Sequence, residues 1–213
     1  MSDTACVGRR MPRAVVALVA LVLVVPASAD RPFTKIAHDG STLTDDATVG
    51  TSARAWACVR DNATGLVWEI KTTDGELRDR RWTYTPYDSS AHASAAGYKD
   101  ATSGQCARER MAERSCNTEA YVNAVSAAGL CGFHDWRLPT ISELVAVSAQ
   151  TTDALPGATD LALPNTEPGW YWTAAGHVGP ANFSRVILLP PRGLPTFYDG
   201  SYLVLAVRGA RSK

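Results

Sequence analysis

The sequence predicts an α+β domain in which two helices pack on short, mainly antiparallel strands held by disulfides. Three observations carry this. Short apolar stretches stand at both ends of the chain, at Trp56–Arg60 and Leu66–Ile70 and again from Trp170 onward. Two segments between them carry helix-start and helix-stop signals. Four cysteines, an even number, fall in the same span. Strands, then helices, then strands again is the order of an α+β fold.

The first 29 residues read as a signal peptide. Arg9, Arg10 and Arg13 precede the apolar run Ala14–Val25, and Pro26-Ala-Ser-Ala29 offers an A-x-A cleavage site before Asp30. The apolar run is 12 residues long, whereas a membrane-crossing helix needs about 20. Its removal takes three arginines and one aspartate from 21 basic and 21 acidic side chains, leaving 18 and 20. That near balance gives no whole-surface attraction to nucleic acid or to anionic lipid, so neither is an expected partner. The mature chain is expected to be exported, to the periplasm or the cell surface, and not to span a membrane.

Residues 30–53 are rich in Thr, Asp and Ser with few large apolar groups, and read as a leader with little fold of its own. Residues 54–211 form the domain. Six tryptophans and seven tyrosines, all beyond Arg54, suffice for one substantial core.

Within the domain, Asp61-Asn-Ala-Thr-Gly65 supplies turn chemistry between the first two strands. Arg80–Thr85 alternates with aromatic residues and reads as a loop or short edge strand. Residues 88–115 have no clear period and form an insertion. Asn117 or Thr118 caps a first helix with Tyr121, Val125 and Ala128 on one face, and Gly129 stops it. Thr140-Ile-Ser-Glu143 is a capping box for a second helix, whose inner face is Ile141, Leu144, Val145 and Ser148. After a Pro/Gly/Asp loop at 150–169 come strands at Trp170–Ala175, Phe183–Leu189 and Tyr202–Val207. The last of these lacks alternation, as a strand covered on both faces would. Asp199-Gly200 signals a hairpin between Phe197-Tyr198 and Tyr202.

Cys58, Cys106, Cys116 and Cys131 remain after cleavage and allow three pairings. The expected bridges are Cys106–Cys116, closing the insertion at its base, and Cys58–Cys131, tying the first strand to the segment behind the first helix. No C-x-x-C pair or histidine at ligand spacing points to a metal or redox thiol.

Several of these segments together resemble the Lcl C-terminal domain family. They are Cys58, Thr64-Gly-Leu-Val-Trp-Glu69, Leu77-Arg-Asp79 with Thr83-Tyr-Thr85, Cys116-Asn-Thr-Glu-Ala-Tyr-Val122, Ala128–Thr140 with Glu143-Leu144, Tyr171-Trp172 and Val207-Arg-Gly209. The block Asp135-Trp-Arg-Leu-Pro-Thr140 is the most specific. The resemblance implies a C-type-lectin-like fold related to the formylglycine-generating-enzyme type. It implies export and, as in the collagen-like adhesin that names the family, attachment to sulfated polysaccharide. No Gly-X-Y segment is present, so that adhesin's trimerisation is not carried over.

In folds of this type the loop after the second helix holds ligands and sometimes calcium. Here Asp153, Asp160, Asn165 and Glu167 are oxygen donors of the kind calcium takes, although the Glu-Pro-Asn triplet of lectins is absent. No cofactor is otherwise expected. Trp170, Tyr171 and Trp172 follow the loop, and a ring on the open face of that strand would meet a sugar. Late basic residues, Arg185, Arg192, Arg208, Arg211 and Lys213, offer an alternative anion-binding patch. Trp136 reads as core, Asp135 and Arg137 as partners of buried backbone or of each other, and Glu143 as a cap. The four histidines are scattered. No G-x-S-x-G, H-E-x-x-H, Walker or G-x-G-x-x-G motif is present. The expected function is a non-catalytic exported module that binds a glycan or other surface polymer. The alternative is a protein-interaction module of an envelope or pilus assembly.

Overall fold

The computed structural model describes residues 32–90, 97, 99, 104–111, 114–152, 163–174, 184–189, 196–198 and 200–210. The signal-peptide reading falls outside the described residues, as do much of the insertion and the middle of the loop after the second helix.

Among the described residues two antiparallel sheets are formed. The first has the order β1-β2-β3-β7, from β1 (Phe33–Ala37), β2 (Trp56–Asp61), β3 (Val67–Glu69) and β7 (Val207–Arg208). The second has the order β4-β5-β6, from β4 (Gly169–Trp172), β5 (Ser184–Leu189) and β6 (Thr196–Tyr198). In the first sheet Lys35 lies opposite Val59, Val59 opposite Trp68, and Trp68 opposite Val207. The β2–β3 turn is built by Asp61, whose carboxylate accepts the Ala63 amide and the Thr64 hydroxyl. Gly65 closes it at φ +73°, a conformation open to glycine.

The segment 30–53 is not the unstructured leader that its composition suggests. β1 forms the outer strand on β2, and Ile36 and Ala37 are buried there. The chain then turns at Asp39, which accepts from the Ser41 amide and hydroxyl, and returns along β1 through a Leu43 amide to Lys35 carbonyl bond. Pairing with β2 and the packing of a few spaced apolar groups, Phe33, Ile36, Leu43 and Val49, fix this stretch. That is why its composition did not announce it.

Both helices begin as their caps dictate. Asn117 accepts the Ala120 amide ahead of α1 (Thr118–Ala127), and Gly129 ends it in the left-handed region. Tyr121 and Val125 face the core as expected, but Ala128 is exposed. Before α2 (Ile141–Thr152) the capping box closes in both directions, Thr140 amide to Glu143 and Glu143 amide to the Thr140 hydroxyl. The inner face of α2 departs in part from the expected one. Leu144 and Ser148 are buried as expected and Ile141 packs partly on the core, but Val145 is exposed, while Val147 and Glu143, which pairs with Arg137, are buried.

The core has two clusters, one on either face of the first sheet. Val67 joins Tyr121 and Val125 of α1, together with Cys58, Tyr84, Trp136 and Trp172. Its neighbour Trp68 joins Leu144 and Val147 of α2, together with Val59, Ile70, Tyr171 and Ile187. The two disulfides, Cys58–Cys131 and Cys106–Cys116, are the expected ones.

The C-terminal segment differs from its expected continuous strand. Only Val207–Arg208 pairs regularly, while Tyr202 bridges to Tyr84 and Leu203 to Tyr171. Val204–Val207 are buried, so the absence of alternation did report burial on both faces. The segment runs between the sheets, bonding to Trp170 and Trp172 on one side and to Glu69 on the other, and this breaks the ladder. Asp199 of the expected hairpin turn lies outside the described residues; of the flanking residues, β6 pairs with β5, and Tyr202 with Tyr84.

Candidate functional site

The site is best understood from the polar frame behind it. Glu69, at the end of β3, is fully buried, and its carboxylate accepts the Ala206 amide at 2.6 Å and the Tyr121 hydroxyl. The Lys71 ammonium lies 2.9 Å from the same carboxylate and donates to Tyr121 Oη at 2.8 Å. Burial lowers the Lys71 pKa against the opposing pull of Glu69, and burial followed by the Glu69 charge pushes the Tyr121 hydroxyl well up. Next to it, Arg78 is 7% exposed and donates through Nη1 to the Ile70 and Ala57 carbonyls. Its Nη2 meets His38 Nε2 at 2.8 Å. Burial, then the Arg78 charge, lowers the His38 pKa, so the ring is held neutral with Nε2 as acceptor.

Two clefts lie along α1 above this frame. The first, about 220 Å³, is lined by Tyr87, Ser89, Lys99, Glu119 and Asn123, with Ser115 and Asn117 behind. Asn117 donates to the Lys99 carbonyl and to Ser115, and Glu119 accepts the Ser89 amide, so the helix start holds this wall in place. The second, about 410 Å³, has an aliphatic floor of Leu77, Ala124, Val125 and Leu130. His38, Asp74, Glu76, Arg78 and Arg110 surround that floor. Ala120 borders the first cleft, and Ala124 and Ala128 the second. These three residues recur at i, i+4 and i+8, so the clefts follow one another along the same side of the helix.

The aromatic platform expected on β4 is reduced to Trp170. Tyr171 and Trp172 are both buried, because each face of the strand is covered by one of the two core clusters. The Tyr171 hydroxyl donates to the Glu167 carbonyl, and Trp172 Nε1 to the Tyr84 carbonyl. Trp170 is half-buried against the α1-side core. Arg208 is paired with Asp135 through two bonds, at 3.0 and 2.8 Å, and lies over the Phe133 ring. The side chain of Arg185 lies outside the described residues, as do Arg192, Arg211 and Lys213.

Of the proposed calcium donors, Asp153 and Asp160 lie outside the described residues. Asn165 donates to the Lys71 carbonyl, and Glu167 pairs with Arg80 at 2.8 Å. Among the described residues no three acidic, histidine or cysteine side chains are grouped to hold a metal. Arg137 and Asp135 do not pair with each other. Arg137 forms a fork on Glu143 and reaches the Gly209 carbonyl, while Asp135 takes Arg208.

The cleft residues were largely invisible in the sequence. In the sequence Arg78 belongs to Leu77-Arg-Asp79, and His38 is one of four scattered histidines. Arg78 stands in the charged run Glu76-Leu-Arg-Asp-Arg-Arg81, which reads as solvated surface, and nothing distinguishes Asn123 or Glu119 from ordinary helix surface.

These features define an α+β domain with two disulfides and a rigid polar frame beneath an open helix side. The chain belongs to the Lcl C-terminal domain family, whose model it matches over residues 57–207, more than half its length. No curated protein and no solved structure matches it. Among the described residues no helix is long and apolar enough to cross a membrane.

Proposed function

We propose that this protein is an exported, non-catalytic binding module that takes a linear polysaccharide along α1. The observation that carries the reading is the succession of two clefts on one side of that helix. A ligand with repeating units suits such a run better than a compact small molecule does. The first cleft offers what a sugar requires, a partly exposed Tyr87 ring beside the hydrogen-bonding side chains of Ser89, Glu119 and Asn123. Export is supported by the signal-like N-terminus and the two disulfides. The C-type-lectin-like ancestry implied by the family resemblance is part of the proposal, but the ligand position differs from the loop-and-strand region where that ancestry would put it. The late-arginine patch is not preferred, since Arg208 is engaged by Asp135.

A polypeptide ligand is the second reading, and the aliphatic floor of the second cleft favours it. Binding of the protein, purified after export, to an array of neutral, acidic and sulfated glycans decides between them. Capture of a glycan series that strengthens with chain length supports the first reading. Silence on the array, together with recovery of an envelope protein bound through the α1 side, supports the second.

A further inference from the structure

We propose that Arg78 and His38 form a receptor for a single carboxylate in the second cleft. The ligand would therefore be a polymer bearing carboxylate groups, and this rests on the polysaccharide reading above. Arg78 is more than nine-tenths buried, yet it borders the cleft. Its side chain is a cationic guanidinium, a donor with no acceptor atom. Its partners are the Ile70 carbonyl, the Ala57 carbonyl and the neutral His38 ring, none of which carries a negative charge.

Among the described residues no carboxylate pairs with Arg78, and the acids nearby are all engaged elsewhere. Glu69 holds Lys71, Tyr121 and the Ala206 amide. Asp79 holds Arg81 and the Gly75 amide. Asp74 accepts from Thr72 and the Glu76 amide, and Glu76 pairs with Arg110.

A guanidinium has five N–H donors, and the partners above account for three of those on Arg78. The two that remain are Nε–H and the second N–H of Nη2; with His38 on the Nη2 N–H that faces Nη1, they lie side by side on one edge of the guanidinium and fit the two oxygens of a carboxylate. The buried Val125 and Leu130 on the cleft wall lower the local dielectric, which strengthens such a bond. Around the cleft Asp74 and Glu76 balance Arg78 and Arg110. A single negative charge is therefore tolerated, whereas a phosphate monoester, at nearly two charges, is disfavoured. His38 acts as a positioning residue, since its Nε2 fixes the plane of the guanidinium.

The test is titration of the purified full-length protein with sodium acetate, followed by NMR of the arginine Nε–H and histidine ring signals. Sodium chloride at the same ionic strength is the control, and methyl sulfate and methyl phosphate are competitors. The Arg78 signal, identified by its loss in Arg78→Lys, is expected to shift saturably with acetate and to respond less to either competitor. His38→Ala is expected to weaken acetate binding about tenfold with the thermal midpoint little changed. If Arg78→Lys does not fold, His38→Gln locates the site by the signals it moves. An equal response to chloride, no response, or tighter binding of methyl sulfate than of acetate overturns the proposal. Glycan capture without an acetate response overturns this inference and leaves the polysaccharide reading standing. An acetate response without glycan capture supports the receptor and sinks the polysaccharide.

Discussion

The Lys71 ammonium lies 2.9 Å from the Glu69 carboxylate, with the two side chains 4% and 0% exposed, and Tyr121 bonds to both. One buried ion pair thus joins β3 to α1, and through the Ala206 amide it joins both to the C-terminal segment. Taking two charges out of water is costly, and only complete hydrogen bonding makes the pair tolerable. Removing one member alone leaves a buried charge without its partner. Glu69→Ala or Lys71→Ala is therefore expected to cost about 3–5 kcal/mol of folding stability. The paired replacement Glu69→Leu with Lys71→Met is expected to cost less than the two single losses added together. Urea unfolding of the four proteins measures this, and additive losses would mean that the pair does not act as a unit.

Acid stability follows from Asp79. Burial pushes its carboxyl up, but bonds from the Arg81 side chain, the Arg81 amide and the Gly75 amide outweigh burial and bring its pKa to about 2. The unfolded carboxyl titrates at about 3.9. A group whose folded pKa is depressed stabilises fully above the unfolded value and loses that contribution as pH falls toward the folded one. Stability is expected to decline between about pH 4 and pH 2, and Asp79→Asn is expected to flatten that part of the profile. Thermal midpoints across the range check this. An unchanged slope in the variant would assign the acid loss to other carboxylates.

Local chemistry in this chain was legible and long-range pairing was not. The Asn117 cap, the Thr140–Glu143 box, the Asp61–Gly65 turn and the short Cys106–Cys116 bridge depend on residues whose side-chain chemistry nearly specifies their geometry. Cys58–Cys131 is the long-range exception, legible because four cysteines allow only three pairings. By contrast, β1 depends on the edge that β2 presents to it, and no pattern within 30–53 reveals that edge. Of the aromatic face expected at Trp170–Trp172, Tyr171 and Trp172 are buried for a related reason. Alternation assigns Tyr171 and Trp172 to opposite faces, but it cannot tell that both faces are covered. The clefts along α1 are shaped by what α1 does not touch, and a sequence does not record that.

The two disulfides are expected to contribute unequally. Cys58–Cys131 spans 73 residues and Cys106–Cys116 spans 10. In the loop-entropy model these lengths correspond to about 4 and about 3 kcal/mol. Cys58→Ala with Cys131→Ala is expected to lower the unfolding midpoint more than Cys106→Ala with Cys116→Ala does. The shorter bridge has a second effect, since Cys116 adjoins Ser115 and Asn117 on the wall of the first cleft. Its loss is expected to weaken ligand capture more than its share of stability accounts for. Denaturation and binding measured on the same two variants separate these effects.

Ligand capture is expected to depend on the side of α1 that the clefts share. Asn123 and Ala128 are exposed, one bordering each cleft. Asn123→Arg and Ala128→Trp place bulk where the polymer would lie, without disturbing the buried Tyr121 and Val125. Surface changes of this kind usually alter stability by no more than about 0.5 kcal/mol, so a fall in binding of tenfold or more would not come from unfolding. Val145→Lys serves as the control, because Val145 is exposed on α2 and borders neither cleft. If binding falls in both α1 variants and holds in the control, the polymer runs across both clefts. If it falls in one variant only, the ligand occupies one cleft and is shorter than proposed. If it falls equally in all three, the α1 side is not the site.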